Sequence, residues 1–394
     1  MKKLIVWILL AAIIFSLIGC SPAAAPERGY AAMDAAGVPG EVSDGSDSNN
    51  HQISAGVLTA GEWKDGDNLS FWTNLLNRNE WYELMEQRSL FTNNVVTAIV
   101  KDENGNGCFG VPVALCNDVG DVLYQAITDV NGCAYLLYGL KGEEEKPASV
   151  RVSGKEFPVV DGLAEVLAED VGLSVTKLDL MLMVDTTGSM SDELQYLQTE
   201  LEDVINRIYQ AAEGLSIHVS VNFYRDEDDD YLVRDFEFTA DIPSAISQLK
   251  RQRTDGGGDY PEAVHNALEN IVYEHQWRDG AVKLCFFVLD APPHSEQEIQ
   301  GINAQMRDTV VDAAKEGIRI IPVASSGVNT ETEFLLRSWA LMTGGTYTFL
   351  TDHSGVGNDH LEPTIGQYEV EALNECLIRV ISEYCALEYV EPTQ

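Results

Sequence analysis

Basic residues are scarce in this chain. Lysine and arginine together number 25 against 63 aspartates and glutamates, a formal charge of −38. Phosphate backbones and anionic lipid surfaces repel such a chain, which argues against nucleic acid as a partner. The common catalytic signatures are missing as well. There is no Gly-x-Ser-x-Gly elbow, no His-Glu-x-x-His pair and no Gly-x-x-x-x-Gly-Lys-Ser/Thr loop, so nothing points to a serine hydrolase, a zinc peptidase or a P-loop NTPase. No Cys-x-x-Cys occurs, which leaves zinc-ribbon and thioredoxin-type sites without support. The apolar run 4–18 is too short to span a bilayer comfortably.

What that run does have is the layout of a signal peptide, with Lys2 and Lys3 before it and Leu17-Ile18-Gly19-Cys20 at its end. The ending resembles a bacterial lipobox, which implies cleavage after residue 19 and lipid on Cys20. Acyl chains there would hold the protein on a membrane face. The expected address is extracytoplasmic and lipid-anchored. Six cysteines remain, and an exported protein can form disulfides. Cys108 with Cys133 is the first pairing to consider; Cys285 lies in an apolar run and reads as a buried thiol.

Residues 20–56 are rich in Ala, Gly, Ser, Asp and Asn without apolar period and read as a flexible tether. Residues 57–90 carry Trp63, Phe71, Trp72, Trp81 and Tyr82 at spacings that suggest one or two short helices. These aromatics either pack against the next domain or form a binding surface. From 91 to 170, short alternating runs are separated by Asn104-Gly105, Asn106-Gly107 and Asn131-Gly132, the pattern of a small antiparallel β-sandwich. Gly110-Val111-Pro112-Val113 and Thr128-Asp129-Val130-Asn131-Gly132 resemble immunoglobulin-like and carboxypeptidase-regulatory-like modules; these turn-and-strand signals specify a fold and say little of function, so a spacer or docking module is the default reading.

From 175 to 388 strands and helices alternate, as in a doubly wound α/β domain with a mostly parallel sheet. Expected strands cover 178–184, 217–224, 233–238, 284–289, 319–323 and 346–350. The loop before 233 is too short for a parallel crossover, so that strand should be an antiparallel edge. Asp185-Thr186-Thr187-Gly188-Ser189 follows the first strand and precedes a helix. A carboxylate and hydroxyls on such a turn suit Mg²⁺, Mn²⁺ or Ca²⁺; equally, they can merely cap the helix. Gly256-Gly257-Gly258-Asp259-Tyr260-Pro261-Glu262 precedes another helix, and Asp290-Ala291-Pro292-Pro293-His294 ends another buried strand. Asp185 and Asp290 thus stand at carboxyl ends of strands, where open α/β sheets bind ligands.

These segments resemble a von Willebrand factor type A domain, over roughly 177–387. Asp185, Thr187 and Ser189 match that family's Asp-x-Ser/Thr-x-Ser metal motif, and Asp290 its second aspartate. The written variant is similar to a bacterial lipoprotein subgroup. The resemblance implies a divalent ion with one position open to an acidic side chain of a protein partner. Adhesive members place threonine where this chain has Asp259, which either joins the metal shell or caps the following helix. Asp226 and His294 are expected to support the ion or touch a partner. The acidic run 226–230 is either a second calcium site or a solvated loop. The function expected is non-covalent binding of another protein, not catalysis. The alternatives are an envelope assembly or sensing protein with a structural ion, and a metal-dependent hydrolase.

Overall fold

A computed structural model describes residues 53–168, 172–212 and 214–388. The signal peptide, Cys20 and most of the tether lie outside the described residues. Among the described residues no helix is long and apolar enough to cross a membrane.

The chain first forms strand β1 (Thr59–Trp63) and helices α1 (Leu69–Leu76) and α2 (Asn79–Arg88). Seven short strands follow: β2 (Val95–Lys101), β3 (Pro112–Asn117), β4 (Val122–Ile127), β5 (Cys133–Leu137), β6 (Pro147–Val152), β7 (Lys155–Pro158) and β8 (Leu163–Leu167). They make one sheet ordered β5-β2-β8 and another ordered β4-β3-β6-β7. Val96, Ala98, Val100, Val113, Leu115, Val150 and Val166 fill the core they share. The sandwich is not wholly antiparallel, because β8 runs parallel to β2. Cys108 and Cys133 are free thiols, as are the other four described cysteines. Cys133 pairs with Ile99, whereas Cys108 N–H bonds to Val100 O at 2.9 Å. Neighbouring residues of a strand face opposite sides, so their partners' side chains diverge.

The α/β part comprises β9 (Lys177–Asp185), α3 (Leu194–Ala211), β10 (Ser216–Tyr224), β11 (Val233–Arg234), α4 (Ile242–Arg251), α5 (Val264–Tyr273), β12 (Val282–Leu289), α6 (Ile302–Glu316), β13 (Ile318–Ala324), α7 (Thr330–Thr343), β14 (Tyr347–Leu350), β15 (Glu371–Ala372) and α8 (Leu373–Cys385). The sheet order is β11-β10-β9-β12-β13-β14-β1-β15. β10, β9, β12, β13 and β14 are mutually parallel, and β11 is an antiparallel edge as expected. Strand residues alternate between two cores. Leu180, Leu182 and Val184 of β9 meet Leu197, Leu201 and Leu377 on one face. Met181 and Met183 meet Leu268, Val310 and Trp339 on the other. Chain order reverses between β9 and β12, so their carboxyl ends flank the switch point of the sheet.

The segment before the sandwich departs from expectation. Residues 59–63 are a strand of the large sheet, antiparallel to both β14 and β15, so the α/β domain does not begin at 175. Trp72 and Trp81 do pack, but against Phe334 of α7. Beside them Arg337 donates two bonds to Asp65, at 2.8 and 2.7 Å, and one to Glu333 at 2.9 Å. All three side chains are buried, so one guanidinium serves two carboxylates, and Glu333 Oε2 is left without a hydrogen-bond partner. The sandwich is docked sideways rather than set in line. Tyr124 donates to Met342 O at 2.7 Å, and Arg319 reaches Ile127 O at 3.3 Å. A spacer between tether and α/β domain is therefore the wrong description, because the chain joins the large sheet before the sandwich begins.

Candidate metal site

The site grows from the end of β9. Residues 178–184 of β9 lie between two parallel neighbours, which carries Asp185 to the switch point fully buried. The backbone then tightens into a 3₁₀ turn, Gly188–Asp192. Asp185 Oδ1 accepts from Thr187 N at 2.8 Å and from Thr187 Oγ1 at 2.7 Å. Thr187 Oγ1 lies 3.1 Å from Ser189 Oγ, and Ser189 is exposed. Thr186 turns the other way, with its hydroxyl 2.6 Å from Tyr231 Oη.

Asp290 follows β12, 3% exposed. The glycine-rich loop closes over both strands. Gly188 N–H bonds to Gly256 O at 3.1 Å, and Asp255 N–H to Thr186 O at 3.2 Å. Gly256 and Gly257 have φ of +78° and +72°, which favours glycine. Asp229 underpins them, accepting from Gly257 N at 3.0 Å and Asp226 N at 3.1 Å. The acidic run is thus loop scaffolding at Asp229.

Glu262 is the residue that sequence reasoning passed over. Its N–H bonds to Pro292 O at 3.0 Å, and the carboxylate is buried. A methyl group on Gly257 would stand 3.1 Å from Glu262 Oε1 and 3.4 Å from Thr187 Cβ, so the carboxylate lies close to Thr187. Asp185 Oδ2, Asp290 Oδ1 and Glu262 Oε2 are all buried without a hydrogen-bond partner. Burial is the first cause that raises all three carboxyl groups above their ordinary range. Asp290 is raised by Asp185 in addition, and Asp185 by Asp226 against the bonds from Thr187. Glu262 is pushed up to about 9 by burial, then by Asp185, Asp226 and Asp290. Burial, with Asp185 and Asp290, also lifts the Tyr224 hydroxyl well above its usual value.

Three unpartnered carboxylate oxygens cost free energy unless a proton or a cation meets them. The donor set of Asp185, Thr187, Ser189, Glu262 and Asp290 is all oxygen, which fits Mg²⁺, Mn²⁺ or Ca²⁺. Ser189, Glu262 and Asp290 line a cleft of about 420 Å³ with Gly257, Tyr260 and Gly327, so the site opens to solvent.

Asp259 sits elsewhere than expected. It lines the same cleft, but its carboxylate is exposed and groups with His294 and Glu298. It does not cap the helix either, since α5 starts at Val264 after Ala263. Asp226 and His294 are brought together, Oδ1 to Nε2 at 2.9 Å. Arg88 of α2 fixes that loop through the carbonyls of His294, at 2.8 Å, and Pro293, at 3.1 Å. Glu193, fully buried, accepts from Ser326 N at 3.3 Å and pairs with His360 Nε2 at 2.9 Å. His360 Nδ1 lies 2.8 Å from Asp352.

Buried carboxylates at the switch point of a mostly parallel sheet, with hydroxyls on the adjoining turn, make an oxygen-lined cluster at one end of an α/β domain. The chain carries a von Willebrand factor A domain: the model of that family matches residues 179–316. Such domains generally mediate protein–protein contacts and often bind a divalent ion. An ariadne-like RING finger protein of Acanthamoeba polyphaga mimivirus is 27% identical over 141 residues, 35% of this chain and 13% of that protein. The alpha-protein kinase vwkA of Dictyostelium discoideum is 21% identical over 169 residues, 41% of this chain and 27% of the kinase. The similarity thus covers well under a third of either relative. Among solved structures, the conserved hypothetical protein BatB from Bacteroides thetaiotaomicron aligns over 53% of this chain and 99% of its own, at 13% identity and a TM-score of 0.34.

Proposed function

We propose that the protein binds another protein through a divalent ion held by Asp185, Thr187, Ser189, Asp290 and Glu262, and does so outside the cytoplasm on a lipid anchor at Cys20. The observation that supports the reading is the set of three buried, unpartnered carboxylate oxygens on Asp185, Glu262 and Asp290, of which Glu262 and Asp290 line one cleft with Ser189. A cation would neutralise them, and an acidic side chain of the partner would complete its coordination. The protein's own residues would hold the ion, set its depth and keep the cleft open. The work is binding rather than turnover.

A second reading has its own support. Glu262 adds a third carboxylate against an ion of charge +2, so an acidic partner gains less from approaching. On that reading the ion ties β9, β12 and the glycine-rich loop together, in an envelope assembly or sensing protein. One experiment addresses both. Mg²⁺ or Mn²⁺ is titrated into chelator-treated full chain and Asp185→Ala by calorimetry, and acidic peptides are then tested with and without the ion. Loss of ion binding in the variant, with peptide binding only in the presence of ion, is the expected outcome. Equal ion affinity in the two proteins would remove the site. Ion binding without any peptide response would leave the structural role.

A further inference from the structure

The glycine-rich loop and the loop after β12 meet a second time, beyond the three buried carboxylates. There Asp259, His294 and Glu298 offer ligand atoms that all lie within 4.8 Å of one another. His294 is 9% exposed, so its ring is fixed by its surroundings. Nε2 sits 2.9 Å from Asp226 Oδ1. The neutral tautomer that suits this bond to a carboxylate oxygen has the proton on Nε2 and the lone pair on Nδ1. Among the described residues Nδ1 makes no hydrogen bond, and Glu298 Oε2 stands 3.8 Å from it. A buried imidazole held on one side by a carboxylate, with its other nitrogen facing two further carboxylates, is the arrangement that orients a metal-ligating histidine. The backbone beneath is also fixed. Ser295 N and Oγ each donate to Glu298 Oε2 at 2.7 Å, and Arg88 holds the carbonyl of His294.

The two cation sites differ in chemistry. The Asp185 site has only oxygen donors, which suits hard ions. One imidazole nitrogen with two carboxylates suits Zn²⁺, and three protein ligands leave a coordination position free. We propose that Asp259, His294 and Glu298 bind a Zn²⁺ ion at the mouth of the cleft, with Asp226 as the carboxylate that orients His294. An ion there would tie the glycine-rich loop to the end of β12 from outside. This inference does not depend on what the Asp185 site binds.

The test uses full chain stripped of metal and titrated with Zn²⁺ alone, in excess Mg²⁺ to occupy the oxygen-lined site. One equivalent of Zn²⁺ should bind to the wild type. His294→Gln and Glu298→Gln should each weaken it by at least about tenfold while leaving Mg²⁺ affinity unchanged. Glu298 is half exposed, so its variant keeps the test valid should the histidine variant misfold. No Zn²⁺ uptake in excess Mg²⁺, or wild-type Zn²⁺ affinity in both variants, would overturn the proposal. An Asp185→Ala protein that keeps its Mg²⁺ affinity would count against the Asp185 site alone.

Discussion

Glu262 carries an unusual electrostatic load for one side chain. Its carboxyl is raised to about 9 by burial and three neighbouring aspartates, against an ordinary value of 4.5. Between those values the folded, ion-free chain holds a proton that the unfolded chain has released. Stability is then full below 4.5 and declines as the pH climbs through about 9; Asp185 and Asp290 act in the same direction. Thermal unfolding in chelator should show this decline, and Mg²⁺ should flatten it. A profile in chelator that stays level from pH 5 to 9 would contradict it. Glu262→Gln should bind Mg²⁺ at least about tenfold more weakly, since opposite charges about 4 Å apart interact by about 4 kcal/mol at an effective dielectric near 20 before desolvation. The same variant should hold a carboxylate ligand more tightly once Mg²⁺ is saturating. Calorimetry on the one variant reads both effects, and weakening of both would defeat the charge argument. Asp185 and Asp290 were legible because each ends a strongly apolar run. Glu262 was not. It sits three residues beyond Asp259 in the same motif, and only the fold separates the two, with Glu262 buried and Asp259 exposed.

The glycine-rich loop works as one element, and Gly256 is its tightest point. A methyl group there would stand 1.9 Å from Asp229 Oδ1, at a φ of +78° that alanine resists. Gly256→Ala should cost about 1 kcal/mol or more of stability. It should also weaken ion binding, because Asp229 would lose its hold on Gly257 and Asp226. Hydrogen exchange should place the added mobility in 253–262 while amides of β2 to β8 stay protected; uniform loss of protection would argue for a global effect instead. Elements with long apolar runs, such as β9 and β12, could be read directly from the sequence, and so could β10 from its alternating pattern. β1 could not. Thr-Ala-Gly-Glu-Trp has no apolar run, and its partner β14 lies almost 300 residues further along the chain. Only tertiary pairing makes it a strand. Ser216–Tyr224, by contrast, is buried along almost its whole length and announces itself.

For the whole molecule, the α/β class, the antiparallel edge and the switch point followed from alternating patterns, whereas the lateral docking of the sandwich did not. That docking rests on a shared apolar core and on contacts between distant residues, such as Tyr124 to Met342 O, which leave no periodic trace. The anchor is a matter for direct test. Cys20→Ala should move the protein out of the membrane fraction or block its processing; unchanged fractionation and mature mass would argue against lipid at that residue. The placement of β1 then bears on mechanics. Glu200 accepts the N–H groups of Gly56, Val57 and Leu58, at 2.7 to 3.1 Å, just where the chain enters the large sheet. Were a tethered copy pulled by a partner seated at the ion, tension would enter at residue 56, shear β1 along β14 and β15, and reach the cleft through the sheet itself. For as long as β1 keeps its place in the sheet, the sandwich, though it follows β1 in the chain, would hang beside that line of force.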